Sequence, residues 1–186
     1  RVLLAVHPRL RPDRVQSSGT ETDVWGALKK LGYPARIAPL GNSLTRFAAE
    51  IEDFKPDIVF NLVEEFRSEA VYDFHLISYL EARGIAYTGC NPRGLIVSRN
   101  KAWVSALASG IGLRVPKGGF YSDPGVLAEI GRAPMFVKFN REHASLGIGL
   151  KNKVMDRREL PLIVNRLRSL LDGEILLQEF IRGMEI

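Results

Sequence analysis

The apolar positions of this chain switch between two periods. Arg1 to Val6 is a β-branched and leucine run closed by His7 and Pro8, which predicts a short buried strand. After a polar, arginine-rich stretch ending at Gly19, Val24, Ala27, Leu28 and Leu31 recur at helical spacing. Thr20 to Asp23 supplies the N-cap and an acidic first turn, and Gly32 stops the helix. Ala35 to Leu40 reads as a second strand, Ser43 caps a helix through Phe54, and Lys55-Pro56-Asp57 leads into a strand over Ile58 to Val63. This alternation predicts a parallel sheet with right-handed crossovers.

Glu69 to Ala82 is apolar nearly all round, through Val71, Tyr72, Phe74, Leu76, Ile77, Tyr79 and Leu80. That predicts a helix buried on two faces, against another domain or a second copy of the chain in a homodimer. Gly84 ends it, Ile85 to Tyr87 reads as a short strand, and Pro92 starts another helix. From Pro116 the texture changes. Gly118 to Tyr121, Met135 to Phe139, Gly149 to Val154 and Ile175 to Phe180 predict an antiparallel layer with two helices. The longer helix carries Leu160, Ile163, Val164, Leu167, Leu170 and Leu171 on one stripe, with Arg157, Arg158, Arg166 and Arg168 off it as a solvated face. The organisation is therefore an α/β domain with a parallel sheet over residues 1–92, connecting helices over 93–115 and an α+β domain with an antiparallel sheet over 116–186.

Composition narrows the function. The 186 residues are 46% hydrophobic and 25% charged, which excludes disorder as the main theme. No apolar run approaches the ~18–20 residues that span a bilayer, and the first residues turn polar too abruptly for a signal peptide. A cytoplasmic protein with no membrane partner is expected. Cys90 is the single cysteine, and Cys90, His7, His75 and His143 lack the spacing of zinc ligands. Cys90 is expected as a small buried hydrophobe and His7 and His75 as packing residues, while His143 lies in a loop that could meet a phosphate. The net charge of +5 suits an anionic ligand, a nucleotide as well as nucleic acid. Nucleic acid would call for aromatics interleaved with Lys and Arg on an exposed sheet. Phe136, Phe139 and Phe180 instead lie in apolar strands.

The most informative segment is Phe136 to Gly149. Lys138 stands in an apolar strand between Val137 and Phe139, and the loop that follows carries small residues at Ala144, Ser145, Gly147 and Gly149. Such a loop either aims backbone N–H groups at a phosphate or is a plain hairpin beside a surface lysine. It matches neither the phosphate-loop nor the dinucleotide glycine pattern.

Four motifs occur in one order: Gly89 to Lys101, Gly112 to Pro116, Val137-Lys138 with its loop, and Leu176 to Glu185. That series resembles the ATP-grasp superfamily, in particular its D-alanine–D-alanine ligase-like carboxylate–amine ligases. Asp57 to Leu62 and Gly84 to Gly89 are similar to the end of that family's first domain. The resemblance covers nearly the whole chain but about the first half of such an enzyme. It implies a Rossmann-like pre-ATP-grasp domain followed by an ATP-grasp subdomain.

The resemblance also implies roles. Lys101 and Lys138 would touch the ATP phosphates, and Glu142, Ser145, Leu146 and Gly147 would form a lid over them. Gln178, Glu179, Phe180 and Ile181 would be the hinge that holds adenine, and Glu185 would take the ribose hydroxyls. Gln178 and Glu179 depart from the acidic-then-lysine pair commoner in the family. Glu21 is the candidate for the substrate's amino group, although an acidic first turn is also explained by the helix dipole alone. Such ligases phosphorylate a small, amino-acid-like carboxylate with ATP and let an amine attack the acyl phosphate. Their Mg²⁺ ligands lie later in the chain, so the expectation is a longer polypeptide whose catalytic lobe follows Ile186. The alternatives are a non-catalytic nucleotide-binding or regulatory module and a basic interaction module.

Overall fold

A computed structural model describes residues 1–9, 13, 19–131, 134–142 and 147–184. The backbone divides into two compact units, Arg1–Ile96 and Val97–Ile186.

The first unit is built on a parallel sheet of β1 (Val2–Val6), β2 (Ala35–Pro39) and β3 (Ile58–Asn61), in the order β2-β1-β3. Val2 is in register with both Ala35 and Ile58, so β1 has neighbours on both sides and is buried throughout. α1 (Thr20–Lys30) and α2 (Leu44–Phe54) join the strands. Ser43 caps α2 by accepting the Thr45 N–H at 3.2 Å, as expected. The predicted cap of α1 is corrected: Gly19 holds the N-cap position without a side-chain bond, and Thr20 is already helical. Phe47 and Ile51 of α2 close the core over Leu3, Ala5 and Val59.

The helix expected over residues 69–82 is divided into a short 3-10 turn at Ala70–Tyr72 and α3 (Phe74–Ala82). Leu76, Ile77 and Leu80 enter the core, while Tyr72 is exposed. Phe66, Tyr72 and Phe74 gather around the His75 ring at 6.0, 5.4 and 4.1 Å between centroids. The predicted strand at Ile85 to Tyr87 reduces to a single parallel bridge between Val59 and Tyr87. Cys90 is exposed, contrary to expectation. It sits in the turn before α4 (Pro92–Ser98), where the neighbouring Asn91 side chain accepts the Gly94 N–H at 2.8 Å.

The second unit begins with α5 (Lys101–Gly110). Its antiparallel sheet has the order β4-β7-β5-β6, from β4 (Gly118–Phe120), β5 (Met135–Phe139), β6 (Lys153–Val154) and β7 (Ile175–Glu179). β6 is shorter than the predicted strand because Leu150–Asn152 winds into a 3-10 turn. α6 (Val126–Ile130) and α7 (Leu160–Leu170) pack on one face, where Met135, Val137 and Phe139 meet Ile163, Val164 and Leu167. Alternation along β5 sends Phe136 and Lys138 to the opposite face.

Candidate functional site

Cross-strand register gathers the candidate side chains on that opposite face. Gly118, Gln178, Phe136 and Lys153 stand in one row, and Phe120, Leu176 and Lys138 in the next. Gly118 is required by close approach, since a Cβ there would lie 2.1 Å from the Leu177 carbonyl oxygen.

Lys138 is half-buried, and burial pushes its pKa below the ordinary lysine value. Among the described residues no carboxylate pairs with it. Lys101 opens α5, whose N-cap Asn100 accepts the Trp103 N–H at 3.0 Å. Its ammonium donates to the carbonyl of Asn140 at 3.4 Å and to that of Glu142. Burial lowers the Lys101 pKa, and the nearby charge of Lys138 lowers it further, partly opposed by Glu142. The two cations thus share a partly desolvated region, with the acid that opposes them acting on Lys101 alone.

The hinge residues divide by direction. Gln178 is 8% exposed and its Nε2 donates to Ser105 Oγ of α5 at 3.3 Å. The Glu179 carboxylate accepts the Lys117 N–H at 3.1 Å. Phe180 places its ring 6.4 Å from that of Phe136, with Lys153 Nζ 4.1 Å from its centroid. Ile181 is 61% exposed, so its side chain is not committed to the core. A cleft of about 770 Å³ runs between α5 and the sheet, lined by Ser105, Ser109, Lys117, Gln178, Glu179 and Ile181 among others.

Gly147 adopts φ +68°, and a Cβ there would come within 2.9 Å of a Leu167 methyl, so this glycine is fixed by packing on α7. Glu142 is half-buried at the start of the same segment. The expectations for His143, Ser145, Leu146 and Glu185 lie outside the described residues. In the first unit, Glu21 borders a separate groove of about 330 Å³ with His7, Arg9 and Glu65. That groove lies at the carboxyl ends of β1 and β3, where the strand order reverses, the usual ligand crevice of an open parallel sheet. His7 is paired with Glu65 at 3.1 Å rather than simply packed.

Sequence reasoning passed over Asn140 and Asn152, both fully buried. Asn152 Nδ2 donates to the Val137 carbonyl at 2.8 Å, while its Oδ1 accepts the Gly149 N–H at 3.0 Å and the Arg166 guanidinium at 2.9 Å. Arg166, expected in solvent, is drawn inward by this amide. A polar residue directly after an apolar strand was the available signal for Asn140; its partners are distant in sequence.

The chain has an α/β fold similar to that of D-alanine–D-alanine ligases, as comparison with solved structures shows. It superposes on D-alanine–D-alanine ligase of Bacillus anthracis complexed with ATP with a TM-score of 0.73 at 19% identity, covering 98% of this chain and 58% of that one. The VanG D-Ala:D-Ser ligase of Enterococcus faecalis gives 0.65 at 18% identity, covering 98% and 63%. D-Ala-D-Ala ligase of Helicobacter pylori gives 0.52 at 24% identity, covering 68% and 37%. The chain spans less than two thirds of the length of each of these ligases. No protein-family model and no curated protein matches the sequence. Among the described residues no helix is long and apolar enough to cross a membrane.

Proposed function

We propose that the protein is an ATP-dependent carboxylate–amine ligase, with Lys101 and Lys138 holding the nucleotide's phosphates. The observation that carries the reading is the pair of half-buried lysines beside one sheet face, Lys138 without a carboxylate partner among the described residues. Two such cations repel and are poorly solvated, and a polyphosphate placed between them relieves both costs. The ATP carried by the Bacillus anthracis ligase supports the choice of nucleotide.

In this reading Gln178 and Phe180 receive the base from the sheet, Ile181 covers it from the cleft and Glu185 takes the ribose hydroxyls. Glu21 receives the amino group of the carboxylate substrate. A substrate carboxylate oxygen attacks the γ-phosphorus and ADP leaves; an amine then attacks the acyl carbon and phosphate leaves. The lysines neutralise charge that shifts toward the leaving ADP. The resemblance adds Mg²⁺, but no group of three His, Cys, Asp or Glu side chains converges on a metal position among the described residues.

The test is ADP release in the presence of ATP, Mg²⁺ and a panel of amino acids, with hydroxylamine added to trap an acyl phosphate as its hydroxamate. Amino-acid-dependent ADP and hydroxamate are expected. ATP binding without either product would instead make the protein a non-catalytic nucleotide-binding module.

A further inference from the structure

Asn140 follows β5 directly, two residues after Lys138, and is 0% exposed. Every polar group it owns is engaged. Its N–H donates to the Glu174 carbonyl at 2.9 Å, and its Nδ2 donates to Glu174 Oε2 at 3.0 Å. Its carbonyl accepts the Lys101 N–H at 3.2 Å and the Lys101 ammonium at 3.4 Å. Its Oδ1 accepts the Ala102 N–H at 3.0 Å.

The last two residues are the first of α5, whose leading N–H groups have no partner within the helix. Asn100 already caps that helix from its own chain, through Trp103. Asn140 adds a tie from the sheet, and that tie fixes where α5 begins relative to β5. A buried amide costs stability unless both of its ends are bonded, and here both are. Leucine would fill the volume but orphan the Ala102 N–H and leave Glu174 Oε2 with Arg141 alone.

We infer that Asn140 is a positioning residue that sets the Lys101 ammonium at its distance from Lys138, so that both lysines meet one polyphosphate. The inference rests on the ATP reading above and adds what enforces the geometry. Glu174 is the second part of the device: its Oε2 also accepts Arg141 Nε at 3.1 Å, so the acceptor that orients the Asn140 amide is itself held. Misplacing a binding group by about 1 Å is enough to cost a large factor in a preorganised site, while an uncharged ligand that does not reach the lysines would not register the change.

The experiment is a double-mutant cycle on ATP and adenosine affinity, by calorimetry, with Asn140→Ala, Lys101→Met and the double variant. Asn140→Ala is expected to weaken ATP about tenfold, to leave adenosine within twofold, and to have no further effect on ATP in the Lys101→Met background. A merely structural role would weaken both ligands, and its effect would persist without Lys101; either result overturns the inference. Should Asn140→Ala not fold, Asn140→Asp replaces it. That variant keeps the acceptor for Ala102 but sets a second carboxylate beside Glu174 and Lys101, and its loss must likewise vanish with Lys101→Met. If the unaltered protein binds no ATP, the ATP reading falls and this inference with it. If ATP binding depends on Lys101 but not on Asn140, this inference alone is overturned.

Discussion

Glu179 and Lys117 are joined twice: the Glu179 N–H donates to the Lys117 carbonyl at 2.8 Å, and the Glu179 carboxylate accepts the Lys117 N–H at 3.1 Å. The side chain thereby extends the β4–β7 ladder beyond its last strand pair and holds the approach to Gly118. Its charge is engaged with the framework. Glu179→Gln, which keeps an acceptor, should leave ATP affinity within twofold. Glu179→Ala should cost about 1 kcal/mol of stability with ATP affinity again nearly unchanged. Urea denaturation and calorimetry check the pair, and a tenfold loss of ATP at unaltered stability would place the carboxylate on the ligand instead.

A pH dependence follows from the lysines. The pKa values of Lys101 and Lys138 lie below the ordinary value in the folded protein. At pH between a lowered folded pKa and the unfolded one, the unfolded chain binds more protons, so stability rises with pH. The destabilisation is fully present below the folded pKa and disappears as pH passes the ordinary lysine value. Lys138→Met should therefore be at least as stable as the unaltered protein at pH 7, with its advantage shrinking toward pH ~10.5. Thermal melts across that range test it. An advantage that grew with pH would contradict the account. Phosphate binding returns the proton, and ATP titrations in alkaline buffers of different ionisation enthalpy should report net proton uptake.

Gly118→Ala should be severe. The added Cβ would stand 2.1 Å from the Leu177 carbonyl, and backbone cannot move aside as a side-chain tip does. A loss of about 2–3 kcal/mol is expected, measured by denaturant unfolding. A change below 0.5 kcal/mol would show that β4 does not pair with β7 in this register.

Asn152→Leu should also destabilise, by about 2–4 kcal/mol, because it orphans the Gly149 N–H, the Val137 carbonyl and the Arg166 guanidinium together. Adding Arg166→Met to Asn152→Leu should recover part of the loss. No recovery would mean that Arg166 does not depend on this amide.

Much of the architecture was legible because it rests on local signals. The apolar run at Val2–Val6, the Ser43 cap and the leucine stripe of α7 each announce themselves within a few residues. Lys138 was legible for the opposite reason, as a charge inside an apolar strand. What escaped depends on distant partners. The inward turn of Arg166 needs Asn152 fourteen residues earlier, and the bonds that bury Asn140 need Lys101, Ala102 and Glu174. The helix expected over residues 69–82 was drawn too long, because apolar spacing alone does not separate a 3-10 turn at Ala70–Tyr72 from the α-helix that begins at Phe74. Cys90 was misread because the general burial preference of cysteine was set above its place in the turn before Pro92.

The central claim is that the face bearing Lys138 binds ATP through its phosphates. Calorimetric titration of ATP into the protein and into Lys138→Met tests it most directly. The account predicts saturable binding by the unaltered protein and a folded variant whose affinity is lower by a charge-assisted contact, about 1.5–3 kcal/mol or roughly ten- to a hundredfold. Absence of binding by the unaltered protein, or equal affinities in the two, would contradict it.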